Sequence, residues 1–383
     1  MPTRGNSNSF EKKKPVLYIR TFGCQMNVRD TEVISGLLLK AGFKLVEKPD
    51  NADIVILNTC SVRQHAEDVV WSEIGVHKNG KIIGLVGCMA QNYKEQAFQR
   101  APNGNFVVGP SDIAKIPHIL KDLLKDKGIL ERKIWETDGL NRPEEIYHTG
   151  YYNDKNHAHL VISEGCSNFC AYCVVPYVRG PERHRRFTDI IKEAEQALDK
   201  GINKITLLGQ NVNSYKSENA DFKELLKRMN AMKDLKEFSF LTSHPKDTDV
   251  KLFDAMASLD KLSKWLHLPL QSASDRILKS MKRNYTKDYF LDLTKEYRKI
   301  VKGGTLTTDV IVGFPGEAEK DFQETFDLLK KIRFDAAYIF KYSPRPGTEA
   351  DRTPDDVPQK EKERRHRLIL DQQRSLAKKN AKS

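Results

Sequence analysis

Residues Val161–Arg179 read VISEGCSNFCAYCVVPYVR and place Cys166, Cys170 and Cys173 in a C-x3-C-x2-C array. The array follows an apolar, strand-like run. Three thiolates this close together can bind one iron–sulfur cubane from a single loop. A cubane normally takes four cysteine ligands, and no fourth cysteine lies nearby in the sequence. The array therefore predicts a cluster with one iron left open for another ligand.

The main alternative for this array is a zinc knuckle completed by a nearby histidine. Zinc sites usually combine two short halves, such as C-x2-4-C and H-x3-5-H. Three cysteines in one loop without such a second half fit this pattern poorly. The spacing therefore favours an iron–sulfur cluster over zinc.

The composition is that of a globular protein. The chain has 383 residues, 39% hydrophobic and 30% charged, which suits two domains or one large domain with an appendage. No run of 18 or more apolar residues occurs, so no membrane span is predicted. Residues 1–14 are basic, lack the apolar segment of a secretory signal and are predicted to be a disordered tail. Six cysteines are too sparse for a disulfide scaffold and suggest ligands in a reducing cytoplasm.

The charge points to a polyanionic partner. The net charge is +12 and the isoelectric point is about 9.2, which favours nucleic acid as the simplest partner. Basic residues concentrate in two places. Lys360–Lys382 has nine lysines or arginines against three acids, and Arg179–Arg186 has four arginines in eight residues.

Residues 15–148 alternate strand-like and helical patterns, as an open parallel sheet does. A polar linker after a helix at Ile113–Leu124 places the domain boundary within residues 110–150. The strand-like runs are 16–23, 53–59, 81–87 and 105–108, and helices are predicted at Thr31–Ala41 and Ser61–His77.

Cys24, Cys60 and Cys88 each follow one of the first three strand-like runs. Parallel strands end on the same edge of a sheet, where such sheets carry their sites. These cysteines should therefore meet in space although 28 to 36 residues separate them in sequence. Three buried thiols placed there by coincidence are the alternative, and a second three-cysteine cluster site is the preferred interpretation.

Residues 149–356 show six further strand-like runs with helices between them, such as Asp189–Lys200 and Thr286–Val301. Six βα units match an incomplete barrel rather than a closed eight-fold one, so the fold class is α/β with a partial (β/α)6 barrel after the open sheet. The six runs are 158–163, 204–209, 237–242, 264–270, 304–312 and 336–342.

Every one of these six runs ends in polar or glycine residues. Barrel enzymes work at the carboxyl ends of their strands, so these residues should outline one active-site mouth. Each of them alone could be an ordinary turn or helix cap. In order they are Cys166, Gly209-Gln210-Asn211, Ser243-His244, Gln271-Ser272, Gly313–Glu317 and Tyr342-Ser343.

A Pro/Gly-rich loop follows Arg345, and residues 357–383 form a basic segment with a predicted helix from Gln359 to about Asn380. Leu368, Ile369, Leu370 and Leu376 give this helix a modest apolar stripe. We expect it to pack on the barrel with its charged face outward. That face is either simply solvated or an RNA contact.

Taken together, these motifs resemble the radical S-adenosylmethionine (SAM) methylthiotransferase family. TFGCQMN, ILNTCSVR and VGCMAQ resemble the cysteine motifs of its first domain. EGCSNFCAYCVVPYVRG, LLGQNVNSY, TSHP, HLPLQSASDRIL, MKRNYT, DVIVGFPGE and YSPRPGT resemble its barrel motifs. LGQNVNSY and YSPRPGT most resemble the MiaB-type branch, whose members modify transfer RNA.

The resemblance implies two [4Fe-4S] clusters, one on Cys166, Cys170 and Cys173 and one on Cys24, Cys60 and Cys88. The first would cleave SAM to a radical and the second would hold the inserted sulfur. Tyr172 would lie beside the adenine of SAM. The other candidate SAM contacts are Gly209, Gln210, Asn211, Ser243, Gln271, Gly313 and Glu317, and the candidate phosphate contacts are Arg179, Arg183, Arg185, Arg186 and Arg345.

The implied substrate is N6-isopentenyl-adenosine in the anticodon loop of tRNA. A threonylcarbamoyl-adenosine, an aspartate of a ribosomal protein, and a non-catalytic zinc or iron–sulfur RNA-binding role are the alternatives. A flavodoxin or ferredoxin is expected as electron donor, and the chain is expected to be monomeric and cytoplasmic.

The chain departs from the family pattern in two places. The family usually has G-x-E-x-S-R after the cluster, and His184 stands at the serine position. The family usually ends in a small RNA-binding β-barrel, and the sequence stops after the basic helix. We therefore expect that domain to be absent.

Overall fold

The computed structural model of the protein describes residues 14–61, 64–77, 80–125, 132–139, 141–217 and 219–380. The predicted tail at residues 1–14 lies almost wholly outside them. None of the helices in these ranges is both long enough and apolar enough to cross a membrane.

The first domain is an open, six-stranded, wholly parallel sheet in the order β2-β1-β3-β4-β5-β6. The central strands β3 and β4 are buried on both faces, as the β-branched runs predict. The strands are β1 Val16–Thr21, β2 Lys44–Leu45, β3 Ile54–Thr59, β4 Ile82–Gly87, β5 Phe106–Val108 and β6 Ile134–Glu136, and the helices are α1 Gln25–Lys40, α2 Gln64–Val76, α3 Cys88–Tyr93, α4 Ala97–Arg100 and α5 Ile116–Lys125.

Two of these strands and the start of one helix differ from the sequence prediction. Strands β2 and β6 are two and three residues long, too short to give a periodic signal. Helix α1 begins at Gln25 rather than Thr31. Its first turns are polar and look like a loop, but Arg29 and Asp30 are buried because this end of the helix faces the second domain.

The second domain contains two three-stranded parallel sheets, β7-β10-β13 and β14-β15-β16. A parallel bridge between Phe238 and Leu262 connects them, so all six predicted strands are present in sequence order. The main strands are β7 His157–Val161, β10 Lys204–Leu208, β13 Glu237–Leu241, β14 Trp265–His267, β15 Thr305–Val312 and β16 Ala336–Lys341, and the short pairs are β8 Ser163–Glu164 with β9 Arg183–His184 and β11 Lys216–Ser217 with β12 Ala220–Asp221.

Strand β14 is shorter than the run predicted at 264–270. Pro269 has no N–H to donate to the ladder, which ends the regular strand early. Pairing resumes where the Gln271 N–H donates to the Asp309 carbonyl at 2.8 Å.

Helices surround the six strands, and the last of them packs along β16 and α12. The strands and helices of this domain share one apolar core, whose buried residues range in sequence from Ala158 to Ile369. The helices are α6 Val175–Arg179, α7 Phe187–Asp199, α8 Phe222–Asn230, α9 Val250–Ser258, α10 Asp275–Ser280, α11 Lys287–Ile300, α12 Glu319–Ile332 and α13 Gln359–Asn380.

Buried ion pairs join α1 of the first domain to the second domain. Arg29 donates to Glu193 at 2.7 Å, and Asp30 accepts from both Arg142 and Arg179 at 2.7 Å. Removing one partner from such a pair costs about 3–5 kcal/mol because the other charge stays buried. The network therefore fixes the two domains against each other.

Candidate active site between the two domains

The structure brings Cys24, Cys60 and Cys88 to one edge of the first sheet. Cys24 caps α1, Cys60 directly follows β3 and Cys88 opens α3 after β4. A hydrogen bond with Cys60 lowers the pKa of Cys24 to about 6, although desolvation opposes the shift. Cys24 is exposed, whereas Cys60 and Cys88 are buried. Gly23 has a φ of +135°, and a Cβ there would lie 2.5 Å from the Cβ of Cys60. Only glycine lets the chain approach this closely.

Cys166, Cys170 and Cys173 lie in the loop between β8 and α6. The Cys173 N–H donates to the Cys170 carbonyl at 2.9 Å, and the Cys166 N–H donates to the Gly180 carbonyl at 3.1 Å. Burial and the nearby Cys170 raise the pKa of Cys173 to about 12. Metal binding would displace these protons, because a cysteine ligand binds as the thiolate.

The cysteine triads fit an iron–sulfur cubane. A cubane binds each of its cysteine ligands through a different iron. The all-thiolate donor set of each triad is the usual one for iron–sulfur clusters.

The two triads are neighbours in space. Cys88 packs against Val174 and Val178, which follow Cys173 in the sequence. Arg179, at the end of α6, donates to the Cys88 sulfur at 3.3 Å and to Asp30 at 2.7 Å. The loop of one triad therefore leads directly to Cys88 of the other.

Eight buried polar atoms at the strand ends of the second domain have no hydrogen-bond partner among the described residues. Each such atom costs about 1–3 kcal/mol, and a polar ligand would remove that cost. The eight are Ser163 Oγ, Gln210 Oε1, Asn211 Oδ1, Ser243 Oγ, His244 Nε2, Gln271 Oε1, Glu317 Oε1 and Tyr342 Oη. These polar groups lie at or near the carboxyl ends of the barrel strands, and each of them could bind a polar ligand.

Ser163 was not among the residues predicted to contact SAM. A Cβ at Gly209 would lie 2.3 Å from its Oγ, so Gly209 serves to let the two strand ends approach. Ser163 is the last residue of the first predicted barrel run, 158–163, and that position was the signal that could have identified it.

His244 presents a donor to this site. Burial, with Arg283 and Lys246 nearby, lowers the pKa of His244 to about 2, so the ring is neutral. Its Nδ1 accepts the Lys246 N–H at 3.2 Å, which places the proton on Nε2. That Nε2–H is one of the eight unpartnered groups.

Gln271 is held in a strained conformation at the same mouth. Its φ is +66°, a left-handed conformation that costs a non-glycine residue about 1–2 kcal/mol. Its N–H donates to Asp309 and its carbonyl accepts from Ile311 at 3.0 Å. These backbone bonds fix the strained turn.

Tyr172 lies where the cysteine loop meets the ends of β15 and β16. It packs against an apolar group that includes Phe314 and Tyr342. The aromatic ring is thus next to both the cysteines and the strand-end residues, as a contact with a cofactor that spans them would require.

Glu317 already binds the terminal helix through one of its two carboxylate oxygens. Its Oε2 accepts from the Gly313 N–H and from Arg365 of α13 at 2.8 Å. Burial raises the pKa of Glu317, although Gly313 and Arg365 oppose the shift. Only its Oε1 remains for another ligand.

The five arginines predicted to contact phosphate do not form one surface. Arg179 and Arg185 are buried, and carboxylates compensate both charges. Arg345 is also buried and lies near Cys60 and Glu67 of the first domain. A buried guanidinium is not presented to a ligand, so the structure corrects these three assignments. Arg183 is partly exposed, and Arg186 is exposed beside Asp189.

Comparison with known proteins agrees with this architecture. Residues 160–329 match the radical SAM superfamily, and residues 16–109 match an uncharacterized protein family designated UPF0004. The second domain is therefore a radical SAM domain, and the chain is a radical SAM enzyme with an additional α/β domain in front.

Two relatives define the family. A tRNA-2-methylthio-N(6)-dimethylallyladenosine synthase of Clostridium beijerinckii is 40% identical over 95% of this chain and 82% of its own length. The synthase of Thermoanaerobacter sp. strain X514 is 42% identical over 96% and 80%. This chain belongs to the tRNA-2-methylthio-N(6)-dimethylallyladenosine synthase family of radical SAM methylthiotransferases.

Solved structures share the fold at low sequence identity. The radical SAM methyltransferase TsrM from Kitasatospora setae has a TM-score of 0.60 at 13% identity, covering 88% of this chain and 77% of its own. The cobalamin-dependent radical SAM enzyme OxsB has a TM-score of 0.55 at 15% identity, covering 96% and 56%. Both similarities concern the fold alone.

Proposed function

We propose that this enzyme methylthiolates C2 of N6-isopentenyl-adenosine next to the anticodon of tRNA, using two [4Fe-4S] clusters and two molecules of SAM. The observation that carries the proposal is the contact between the two cysteine triads through Val174, Val178 and Arg179. Inserting sulfur at an unactivated C–H needs a radical and a sulfur donor side by side. Two adjoining cluster sites meet that need.

The six cysteines would hold the clusters, and the unpartnered groups at the strand ends would hold SAM. When bound, one cluster would supply the electron that cleaves SAM to methionine and a 5′-deoxyadenosyl radical, and the other would hold the sulfur that is transferred. The chain positions the reactants and supplies the electrostatic environment. Its six strands would form an incomplete barrel, whose open side leaves room for a large substrate.

The substrate base would enter from an unpaired loop. A loop base can be splayed into a pocket, which a base within a duplex cannot be without flipping. The exposed basic side chains, Arg183 and Arg186 among them, would contact phosphates. We further propose that the enzyme is a cytoplasmic monomer that receives electrons from a flavodoxin or ferredoxin.

Mass analysis of tRNA nucleosides tests the proposal directly. The protein is reconstituted anaerobically and incubated with SAM, a reductant and tRNA that carries isopentenyl-adenosine. We expect about eight irons per chain and a nucleoside product in which a methylthio group replaces the C2 hydrogen. The matched controls are tRNA with unmodified adenosine and tRNA with threonylcarbamoyl-adenosine. Methylthiolation of threonylcarbamoyl-adenosine instead, or of neither tRNA, would contradict the proposed substrate.

A further inference from the structure

Arg283 is a buried arginine in the turn between α10 and α11, 7% exposed. It donates to the Cys170 sulfur at 3.5 Å, to the Tyr285 hydroxyl at 3.1 Å and to the Pro269 carbonyl at 3.0 Å. The Tyr285 hydroxyl donates in turn to the Leu270 carbonyl at 2.7 Å. Tyr285 is therefore held as a neutral phenol.

Within the described part of the chain, no carboxylate pairs with Arg283. Arg179 differs from Arg283 in this respect. It contacts Cys88 of the other triad, but Asp30 at 2.7 Å neutralises its charge. A buried charge is costly unless it is paired. The Cys170 sulfur is the group in contact with Arg283 that becomes anionic when a cluster binds.

We propose that Arg283 is a positioning residue that donates to the Cys170 thiolate and favours reduction of the SAM-cleaving cluster through its permanent positive charge. The inference rests on the proposed function, since it requires a cluster on this triad. A reduced cluster carries one more negative charge than the oxidised one. Reduction potentials follow net charge and hydrogen bonds to the sulfurs, so a nearby cation makes reduction easier.

The turn that carries Arg283 is fixed to the cysteine loop independently of this side chain. The Ala171 N–H donates to the Met281 carbonyl at 3.0 Å, and the Arg283 N–H donates to the Leu278 carbonyl at 2.9 Å. Replacing the guanidinium therefore leaves the backbone contacts of the loop in place. The effect on the cluster can then be measured in a folded protein.

The test is a potentiometric titration followed by electron paramagnetic resonance in a C24A/C60A/C88A background, where the SAM-cleaving cluster alone remains. In that background, R283M should require a potential lower by at least 59 mV, which is a tenfold change for a one-electron couple. R283K keeps the charge and should recover most of the loss. R228M, which removes an exposed arginine, should leave the potential unchanged.

An unchanged potential in R283M with full iron content would overturn the inference. A reduction potential in R283K as low as in R283M would overturn the inference too, because the positive charge that lysine keeps would then not raise the potential of the cluster. If R283M does not retain its iron, R283Q is compared with R283K in the same way. Absence of iron in the background protein itself would instead contradict the proposed function.

Discussion

Gly313 is required by the fold for two reasons. Its φ is +72°, and a Cβ there would lie 2.4 Å from Cγ of Lys362 on α13. Lys362 is buried and bound to Asp355, so it has little freedom to move away. The glycine is therefore required by the terminal helix as well as by the backbone conformation.

We expect Gly313→Ala to destabilise the protein more than Gly303→Ala. Gly303 has nearly the same φ, +71°, but open space around it, so both variants share the cost of left-handed backbone. The additional loss at Gly313 should be about 1–3 kcal/mol, as for other overpacked sites. Denaturant unfolding of both variants measures it. Equal losses would show that Lys362 moves aside freely.

Ser243 offers a test of the strand-end groups as a SAM site. Its hydroxyl is buried and unpartnered, so Ser243→Ala should weaken SAM binding about two- to tenfold, the equivalent of one hydrogen bond. The free energy of unfolding without SAM should stay equal or rise, because a costly polar group is removed. Calorimetric titration of the reconstituted protein and denaturant unfolding give the two quantities.

Ser258→Ala is the matched control, because the Ser258 hydroxyl donates to the Asp254 carbonyl at 2.8 Å. It should not change SAM affinity. Unchanged affinity in Ser243→Ala as well would remove Ser243 from the proposed site.

At the scale of elements, the terminal helix α13 has an inner and an outer face, but Leu368 of the predicted apolar stripe is exposed and Arg365 is buried. Ile369 enters the core, and Arg365 binds Glu317 at 2.8 Å. Gln372 donates to the Phe326 carbonyl at 3.1 Å. Arg367 and Arg374 are exposed. Any RNA contact must therefore use the outer arginines and not Arg365.

Charge reversal on the outer face tests that contact. R367E/R374E should weaken tRNA binding and flatten the plot of log affinity against log salt. Each lost phosphate contact lowers the slope by about 0.7–0.9. K295E/K299E on α11 changes the net charge equally at exposed positions and should leave the slope unchanged. Equal effects of the two variants would indicate general charge rather than a contact by α13.

At the scale of the whole molecule, the two domains each contribute one cysteine triad and share an ionic interface. Asp30 holds Arg179 independently of Cys88. The second domain also has its own apolar core, which contains no residue of the first domain. Removing the cysteines of the first domain should therefore leave the radical SAM site in place.

We expect C24A/C60A/C88A to cleave SAM reductively to 5′-deoxyadenosine but to form no methylthio-adenosine, because the group that presents sulfur is absent. C166A/C170A/C173A should lose both activities. Chromatography of the SAM products and mass analysis of tRNA nucleosides measure the two outcomes. Methylthiolated product from the first variant would refute the role assigned to that triad.

The sequence alone determined the long central strands and predicted that Cys24, Cys60 and Cys88 meet at one edge of the sheet. The runs over β3, β4 and β15 were predicted to within a residue or two, because continuous β-branched segments are a local property of the chain. The proximity of Cys24, Cys60 and Cys88 could be predicted because parallel strands end on one edge of the sheet. The same rule predicted that the polar residues at the ends of the barrel strands lie close to one another.

Only the tertiary structure shows which charged side chains are buried and which partner each of them binds. Arg179 and Arg185 looked like phosphate contacts, yet Arg179 binds Asp30, 149 residues away in the sequence. Arg365 of the basic segment is likewise buried and binds Glu317. Periodicity records which face of an element is buried. A buried arginine's partner depends on which distant carboxylate the fold brings to it, and no local pattern encodes that.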